Sequence, residues 1–189
     1  MNSDKKRCSW CGTDPLYVEY HDTEWGVPVY DDSVFYEFLL LESFQAGLSW
    51  IIILRKRENF RTAFDQFDYR KIAEYEDKKL ESLRNNPGII RNKLKIKAAV
   101  SNAQAFLKIQ EEFGSFSKYI WNFVDGKPIV NQWKTHDEIP AFTDLSDAVS
   151  KDLKKRGFKF VGSTIIYSFL QATGLIQDHV QSCFRYGKV

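Results

Sequence analysis

The sequence lacks any long hydrophobic run. Its longest nearly apolar stretch, residues 48–54, contains Ser49 and falls far short of the ~20 residues that a membrane-spanning helix needs. The first seven residues are mostly polar or charged, without the apolar segment of a secretory signal. These two features predict a protein that stays in the cytoplasm and does not associate with membranes.

Cysteine and histidine are scarce, with three of each among 189 residues. An odd number of cysteines in a chain that is not exported argues against disulfides and favours reactive or metal-bound thiols. His136 lies in a polar loop, where we expect it to be solvated. The net charge is only +2, from 27 basic and 25 acidic residues, which neither requires nor excludes a nucleic-acid partner.

Apolar and aromatic residues are plentiful, at 43% and 15% of the chain. This composition supports a packed core and excludes wholesale disorder. The length suits one domain, and no linker, repeat or low-complexity segment divides the chain. The sequence therefore predicts a single domain over residues 1–189.

The spacing of apolar residues is helical along most of the chain. In residues 32–46, Phe35, Phe38 and Leu39 recur on one helical face. Further helices are predicted over residues 50–64, 69–75, 77–85, 91–113, 115–124, 146–156, 163–173 and 177–185. Short extended pieces are expected at 27–30 and 127–133, but no series of strands emerges. The predicted fold class is all-α.

The two ends of the chain carry candidate metal ligands. His179 and Cys183 are four residues apart, so a helix would project both from one face. The N-terminal segment offers Cys8, Cys11 and His21. Two thiolate and imidazole sets suited to tetrahedral zinc remain open, since either Cys11 or His21 can join Cys8 and the C-terminal pair. Alternatively, these residues are ordinary members of the core.

Glu42 occupies an unusual position for an acidic residue. It follows Phe38 by four residues and Leu39 by three, which places it on the apolar face of its helix. An ionised carboxylate there is costly unless it is paired, so Glu42 lies either at the edge of that face or in a pocket that recognises donors or positive charge. The nearby aromatic residues suit a planar cationic ligand held between rings. They are Trp10, Tyr17, Tyr20, Trp25 and Trp50.

Basic residues cluster at 55–61, 91–97 and 151–159. Each cluster can be a solvated helix face, but the last leads through Gly157 and Gly162 into a predicted helix. A glycine-containing hairpin at a helix N-terminus offers amide groups to an anion, and flanking lysines favour a nucleic-acid phosphate. This segment resembles the hairpin of helix-hairpin-helix DNA-binding proteins, with Lys159 and Phe160 where those have Pro-Gly.

Three long motifs carry a wider resemblance. They are DPLYVEYHDTEWGVP at 14–28, LESFQAGLSW at 41–50 and KRGFKFVG at 155–162. In this order, and with shorter matches at 54–59, 88–91 and 178–180, the chain resembles the DNA-3-methyladenine glycosylase I family over about residues 7–185. The resemblance implies one helix-hairpin-helix glycosylase domain, with the hairpin at about 155–164.

The family is one of bacterial base-excision repair enzymes. The resemblance implies hydrolysis of the N-glycosidic bond of 3-methyladenine in double-stranded DNA, with release of the free base and an abasic site left behind. It also implies a monomer without an obligate protein partner, acting in the cytoplasm at the nucleoid. The alternatives are a non-catalytic zinc-containing DNA-binding module and a zinc hydrolase with an open coordination position.

The resemblance also implies roles for particular residues. It selects Cys8, His21, His179 and Cys183 as ligands of one structural Zn²⁺ that joins the chain termini, and it leaves Cys11 outside the set. Glu42 is expected to be the catalytic residue that contacts the base. The remaining substrate-binding residues implied are Trp10, Tyr17, Tyr20, Trp25 and Trp50.

The implied DNA contacts lie in two segments. Gln45, Gly47 and Leu48 would belong to a loop pushed into the DNA gap, as an apolar wedge that props unstacked duplex. The hairpin would contribute Lys155, Gly157, Lys159, Gly162, Ser163 and Thr164. Asp178 lies near the place of a catalytic aspartate in related families, but this family lacks that residue, so Asp178 is not assigned to catalysis.

Overall fold

The computed structural model describes residues 5–188, which form helices and two short strands. The helices are α1 (Pro15–Thr23), α2 (Asp32–Gln45), α3 (Trp50–Ala63), α4 (Tyr69–Ala73), α5 (Asp77–Asn85), α6 (Lys93–Phe113), α7 (Phe116–Trp121), α8 (Asp144–Lys155) and α9 (Ser163–Ala172). The strands β1 (Ile129–Val130) and β2 (Ile176–Gln177) pair in parallel, with Ile129 opposite Ile176. The predicted all-α class is confirmed. Within residues 5–188 no helix has the length and apolar character needed to cross a membrane.

Helix α2 runs through the middle of the core. Every side chain from Phe35 to Phe44 is buried, and the helix packs against α3, α6, α7 and α9. It is capped by Asp31, whose carboxylate accepts a hydrogen bond from the amide of Ser33. A helix that is buried on all sides must enclose any polar side chain that it carries, and Glu42 lies in this stretch.

The predicted helix over residues 177–185 is wrong. Ile176 and Gln177 form β2, and residues 178–188 are irregular or in turns. Some of their backbone groups bond to distant segments instead of to each other. The amide of Gln181 donates to Trp133 O, and the amide of Phe184 donates to Lys6 O. The other eight predicted helices are present, with ends shifted by at most three residues.

Helix α1 was not predicted, although its start carries a clear signal. Asp14 accepts a hydrogen bond from the amide of Leu16, and Pro15 occupies the first helical position, where its missing N–H costs nothing. The extended piece expected at 27–30 is irregular, whereas β1 falls inside the one expected at 127–133.

The N-terminal and C-terminal segments pack closely together. Gly174, at φ +71°, lies so near the Val27–Pro28 peptide that a Cβ atom would be 2.3 Å from the carbonyl carbon of Val27. The amide of Val29 also donates to Thr173 O at 3.0 Å. This contact, which requires glycine, brings both ends of the chain to one side of the domain.

Candidate active site and metal centre

A cavity of about 220 Å³ opens between α1, α2, α3 and α9. It brings together all six residues that the sequence proposed for ligand binding: Trp10, Tyr17, Tyr20, Trp25, Glu42 and Trp50. Its other lining residues are Gln45, His136, Ser168 and Gln171. The volume is below the ~300–1,000 Å³ typical of pockets for drug-sized ligands, so it suits one small planar group.

Glu42 and Trp50 leave polar atoms unsatisfied in this cavity. The Glu42 side chain is only 3% exposed, and neither its Oε2 nor the Trp50 Nε1 has a hydrogen-bond partner among residues 5–188. Burial raises the pKa of Glu42 to about 8, since a carboxylate is costly to desolvate. A cation or a set of hydrogen-bond donors would relieve that cost.

Aromatic rings form the walls around Glu42. The Trp10 ring centroid lies 4.9 Å from that of Tyr17 and 5.0 Å from that of Trp25, and Tyr20 and Trp50 lie 5.6 Å apart. Burial, with smaller contributions from Cys11 and Glu42, raises the pKa of Tyr17 to about 12. Burial also raises the pKa of Tyr20, so both phenols remain neutral hydrogen-bond donors at neutral pH.

A second cluster lies beside the pocket, where the chain ends meet. Cys8, His21, His179 and Cys183 are all buried, and their ligand atoms lie within 4.8 Å of one another. Cys183 Sγ is 3.4 Å from His21 Nε2 and 3.5 Å from His179 Nδ1, and Cys8 Sγ is 3.6 Å from His179 Nδ1. Sulfur and nitrogen ligands of tetrahedral zinc are spaced by roughly 3.5 Å at usual bond lengths. This group could bind a metal.

The outer nitrogens of both imidazoles are held by hydrogen bonds. His21 Nδ1 lies 2.8 Å from Asp22 Oδ1, and His179 Nε2 lies 3.0 Å from Trp25 O. Partners of this kind fix the ring orientation of metal-ligating histidines. Gly26, at φ +78°, lets the backbone approach, because a Cβ there would be 3.2 Å from the His179 ring.

Of the two ligand sets that the sequence left open, the structure assembles the one that contains His21. The Cys11 thiol is buried but donates to Cys8 O at 3.2 Å instead of joining the group. A hydrogen bond with Cys8 lowers the pKa of the Cys183 thiol, with further lowering from the two imidazoles. The helix expected at His179 and Cys183 is absent, and a turn brings them together.

A short loop borders the pocket between α2 and α3. We call residues 45–48, which are the last residue of α2 and the three that follow it, the rim loop. Its Gly47 is exposed at φ +85°, and its Leu48 side chain is half-buried. Gln45 Nε2 donates to Leu48 O at 3.2 Å, which holds the loop in a compact turn.

The hairpin connects α8 to α9, and its lysines are exposed. Gly157 has φ +100° and Phe160 has φ +56°, a conformation that favours glycine. Lys155 and Lys159 lie on the surface. The first amides of α9, at Ser163 and Thr164, cannot bond within their helix.

Other basic residues are engaged in ion pairs. Arg156 contacts Glu112 and Asp152, so it is not free for another anion. In the 55–61 cluster, Arg57 and Arg61 both contact Glu37. These guanidinium groups stabilise contacts between helices.

Asp178 is buried and surrounded by donors. Its carboxylate accepts hydrogen bonds from the side chains of Asn131, Trp133, Tyr167 and Gln171. Each carboxylate oxygen of Asp178 therefore already accepts two hydrogen bonds.

Three pocket residues were missed by the sequence analysis. His136 is exposed, as expected, but it also lines the mouth of the cavity, and nothing in its loop sequence signals this. Ser168 and Gln171 lie three residues apart on α9. That spacing, which puts them on one helical face, was the available signal.

Comparisons with known proteins agree over almost the whole chain. The family model described as methyladenine glycosylase matches residues 10–186. The DNA-3-methyladenine glycosylase 1 of Escherichia coli is 51% identical over 96% of this chain and 97% of that protein. The DNA-3-methyladenine glycosylase of Haemophilus influenzae is 46% identical over 94% of this chain and 96% of that protein. A solved structure of the 3-methyladenine DNA glycosylase I of Staphylococcus aureus, described as the structural basis of 3-methyladenine recognition, has a TM-score of 0.93 at 39% identity and covers 97% of each chain.

Proposed function

The chain belongs to the methyladenine glycosylase family, and on this premise we propose that the cavity around Glu42 binds the base. The protein is a 3-methyladenine DNA glycosylase of base excision repair. The observation that carries the assignment of the site is the pair of unsatisfied polar atoms, Glu42 Oε2 and Trp50 Nε1, inside an aromatic pocket.

Recognition begins when the damaged nucleotide leaves the stack, because a base inside duplex DNA cannot reach a buried pocket. Methylation at N3 makes adenine cationic while it is attached to deoxyribose. The aromatic walls attract such a planar cation, and Glu42 accepts a charge-assisted hydrogen bond from the base. The cation lowers the pKa of Glu42 from about 8, so the carboxyl group loses its proton as the base enters.

The reaction needs little further chemistry from the protein. The bond between C1′ of the sugar and N9 of the base breaks, and its electron pair cancels the positive charge of the purine. A water oxygen bonds to C1′, and the proton released by that water passes to solvent. The protein residues thus bind and orient the nucleotide.

Two surfaces are proposed to hold the DNA. In the rim loop, Gln45, Gly47 and Leu48 fill the space that the extruded base leaves, with Leu48 as the apolar wedge. The hairpin binds backbone phosphates through exposed lysines and the amides at the start of α9. Its contributing residues are Lys155, Gly157, Lys159, Gly162, Ser163 and Thr164.

The cysteine and histidine group is proposed to hold one zinc ion. Two sulfur and two nitrogen donors at this spacing suit zinc. Bound by four protein ligands, the ion would cross-link the chain ends next to the pocket and offer no open position for substrate or water. This argues against a zinc hydrolase.

The decisive test is chromatography of bases released from DNA that has been methylated in vitro. Wild-type protein should release 3-methyladenine, whereas a non-catalytic DNA-binding module would retain DNA on a filter without releasing any base. We further propose that the protein acts as a monomer in the bacterial cytoplasm. Light scattering with and without DNA would measure its mass.

A further inference from the structure

One face of α6 carries two polar side chains that are nearly excluded from solvent. Lys95 is 6% exposed and Asn102 is 3% exposed. They are seven residues apart, so they share one helical face at a separation of about 10 Å along the axis. Lysine is rarely buried without a partner carboxylate, and no acidic side chain forms an ion pair with Lys95 within residues 5–188. Burial lowers its pKa.

Lys95 binds the carboxyl end of α2, next to the rim loop. Its Nζ donates to Phe44 O at 2.9 Å and to Ala46 O at 2.8 Å. Carbonyl groups at a helix C-terminus have no partner inside the helix and carry partial negative charge. The ammonium group therefore fixes the point where α2 stops and the rim loop begins.

Asn102 binds the hairpin from the same face. Its Nδ2 donates to Lys159 O at 3.0 Å, and its Oδ1 accepts from Lys159 N at 2.8 Å. The two bonds hold both backbone groups of Lys159. Next to it, the Phe160 ring centroid lies 5.9 Å from Lys95 Nζ. Lys95 is therefore near the hairpin as well as the end of α2.

We propose that Lys95 and Asn102 are positioning residues that set the rim loop and the hairpin at a fixed distance for the DNA duplex. The inference rests on the proposed function, because it takes the rim loop as the segment that enters the duplex and the hairpin as the segment that binds phosphate. A wedge held one base step away from its place would leave the damaged base stacked, however well the pocket fits it.

The test compares Lys95→Met, which keeps the apolar stem and removes the donors, with Lys108→Met, an exposed lysine on the same helix. Each protein is bound to a duplex that carries a tetrahydrofuran abasic analogue opposite 2-aminopurine, whose fluorescence reports unstacking. Excision from methylated duplex DNA and the affinity for free 3-methyladenine, by tryptophan quenching, are measured in parallel.

Lys95→Met should lose most of the 2-aminopurine signal and about ten- to a hundredfold in kcat/KM on duplex DNA, as expected when a positioning contact is lost. Its affinity for the free base should stay within about twofold of wild type, and Lys108→Met should match wild type throughout. Asn102→Leu should instead weaken duplex binding while leaving free-base affinity unchanged.

A normal 2-aminopurine signal and normal duplex excision in Lys95→Met would overturn the inference. So would an equal loss of free-base affinity, which would indicate a general disturbance of the pocket. If Lys95→Met does not fold, Lys95→Gln, which retains one donor group, replaces it, with a smaller defect of the same selective kind expected. Wild-type protein that neither binds the free base nor excises it would instead refute the proposed function.

Discussion

Glu42 Oε2 and Trp50 Nε1 face one buried cavity, and neither atom has a hydrogen-bond partner in the described part of the chain. An unsatisfied buried donor or acceptor costs about 1–3 kcal/mol. A ligand that pairs with both atoms recovers that cost on binding. A ligand that offers a donor to Glu42 Oε2 and an acceptor to Trp50 Nε1 is therefore favoured over one that offers neither.

Glu42→Gln should lower kcat/KM for excision of 3-methyladenine by about ten- to a hundredfold, because a charge-assisted hydrogen bond of roughly 1.5–3 kcal/mol is lost. Glu42→Ala should lose more, since it leaves polar edges of the base unpaired. The measurement is the rate of base release from methylated duplex DNA. Excision close to wild type by a folded Glu42→Ala protein would remove Glu42 from the site.

The same carboxyl group should make stability depend on pH. The folded pKa of Glu42, about 8, lies above its ordinary value of 4.5, so the folded state holds a proton that the unfolded state releases. Its contribution to the free energy of unfolding is therefore lost as pH rises from about 4.5 to about 8. Glu42→Gln should be more stable than wild type by a few kcal/mol at pH 8, with little difference at pH 4.5.

Urea unfolding of both proteins at several pH values measures this difference. Glu58→Gln, at an exposed position of α3, serves as the control and should show no comparable gain. A difference between Glu42→Gln and wild type that is the same at pH 5 and pH 8 would show that folding leaves the pKa of Glu42 near its ordinary value, and would contradict this prediction.

Local periodicity was sufficient to predict most helices, because their apolar faces repeat along contiguous sequence. It failed after Gln177, where backbone groups bond to segments more than forty residues away, such as Trp133 and Lys6. It also failed at α1, because a helix of nine residues is too short for its buried face to repeat more than once or twice. There the Asp14–Pro15 signal at the helix start carried more information than periodicity.

The site was predictable to a similar extent. Glu42 stood out because an acid on an apolar face requires an explanation, and the cysteine and histidine group stood out by residue type. Lys95 did not, because a lysine in a basic cluster is indistinguishable in sequence from a solvated one. Its burial follows from how α6 crosses the end of α2, which is a tertiary feature.

Removal of charge from the hairpin should weaken binding to DNA of every sequence. Lys155→Ala and Lys159→Ala should each lower the slope of log K against log salt concentration by about one per lost phosphate contact. Fluorescence anisotropy at several salt concentrations measures the slope, with Lys108→Ala on α6 as the control. Unchanged slopes in both hairpin variants would place the DNA on another face.

Substitutions at and around the metal centre should reduce zinc binding to different extents. Cys183→Ser should lose bound zinc and much of the thermal stability, since structural zinc contributes on the order of 10 kcal/mol of apparent binding free energy in small domains. Asp22→Asn removes the carboxylate that holds His21 Nδ1, so it should bind zinc about 10–100-fold more weakly while retaining the ion at high zinc concentration.

Cys11→Ser should keep its full zinc content, because the Cys11 thiol bonds to a backbone carbonyl outside the group. Elemental analysis of purified proteins gives the stoichiometry, and competition with a chelating dye gives the affinities. Loss of zinc from Cys11→Ser, together with its retention by His21→Ala, would show that the ion takes the other ligand set.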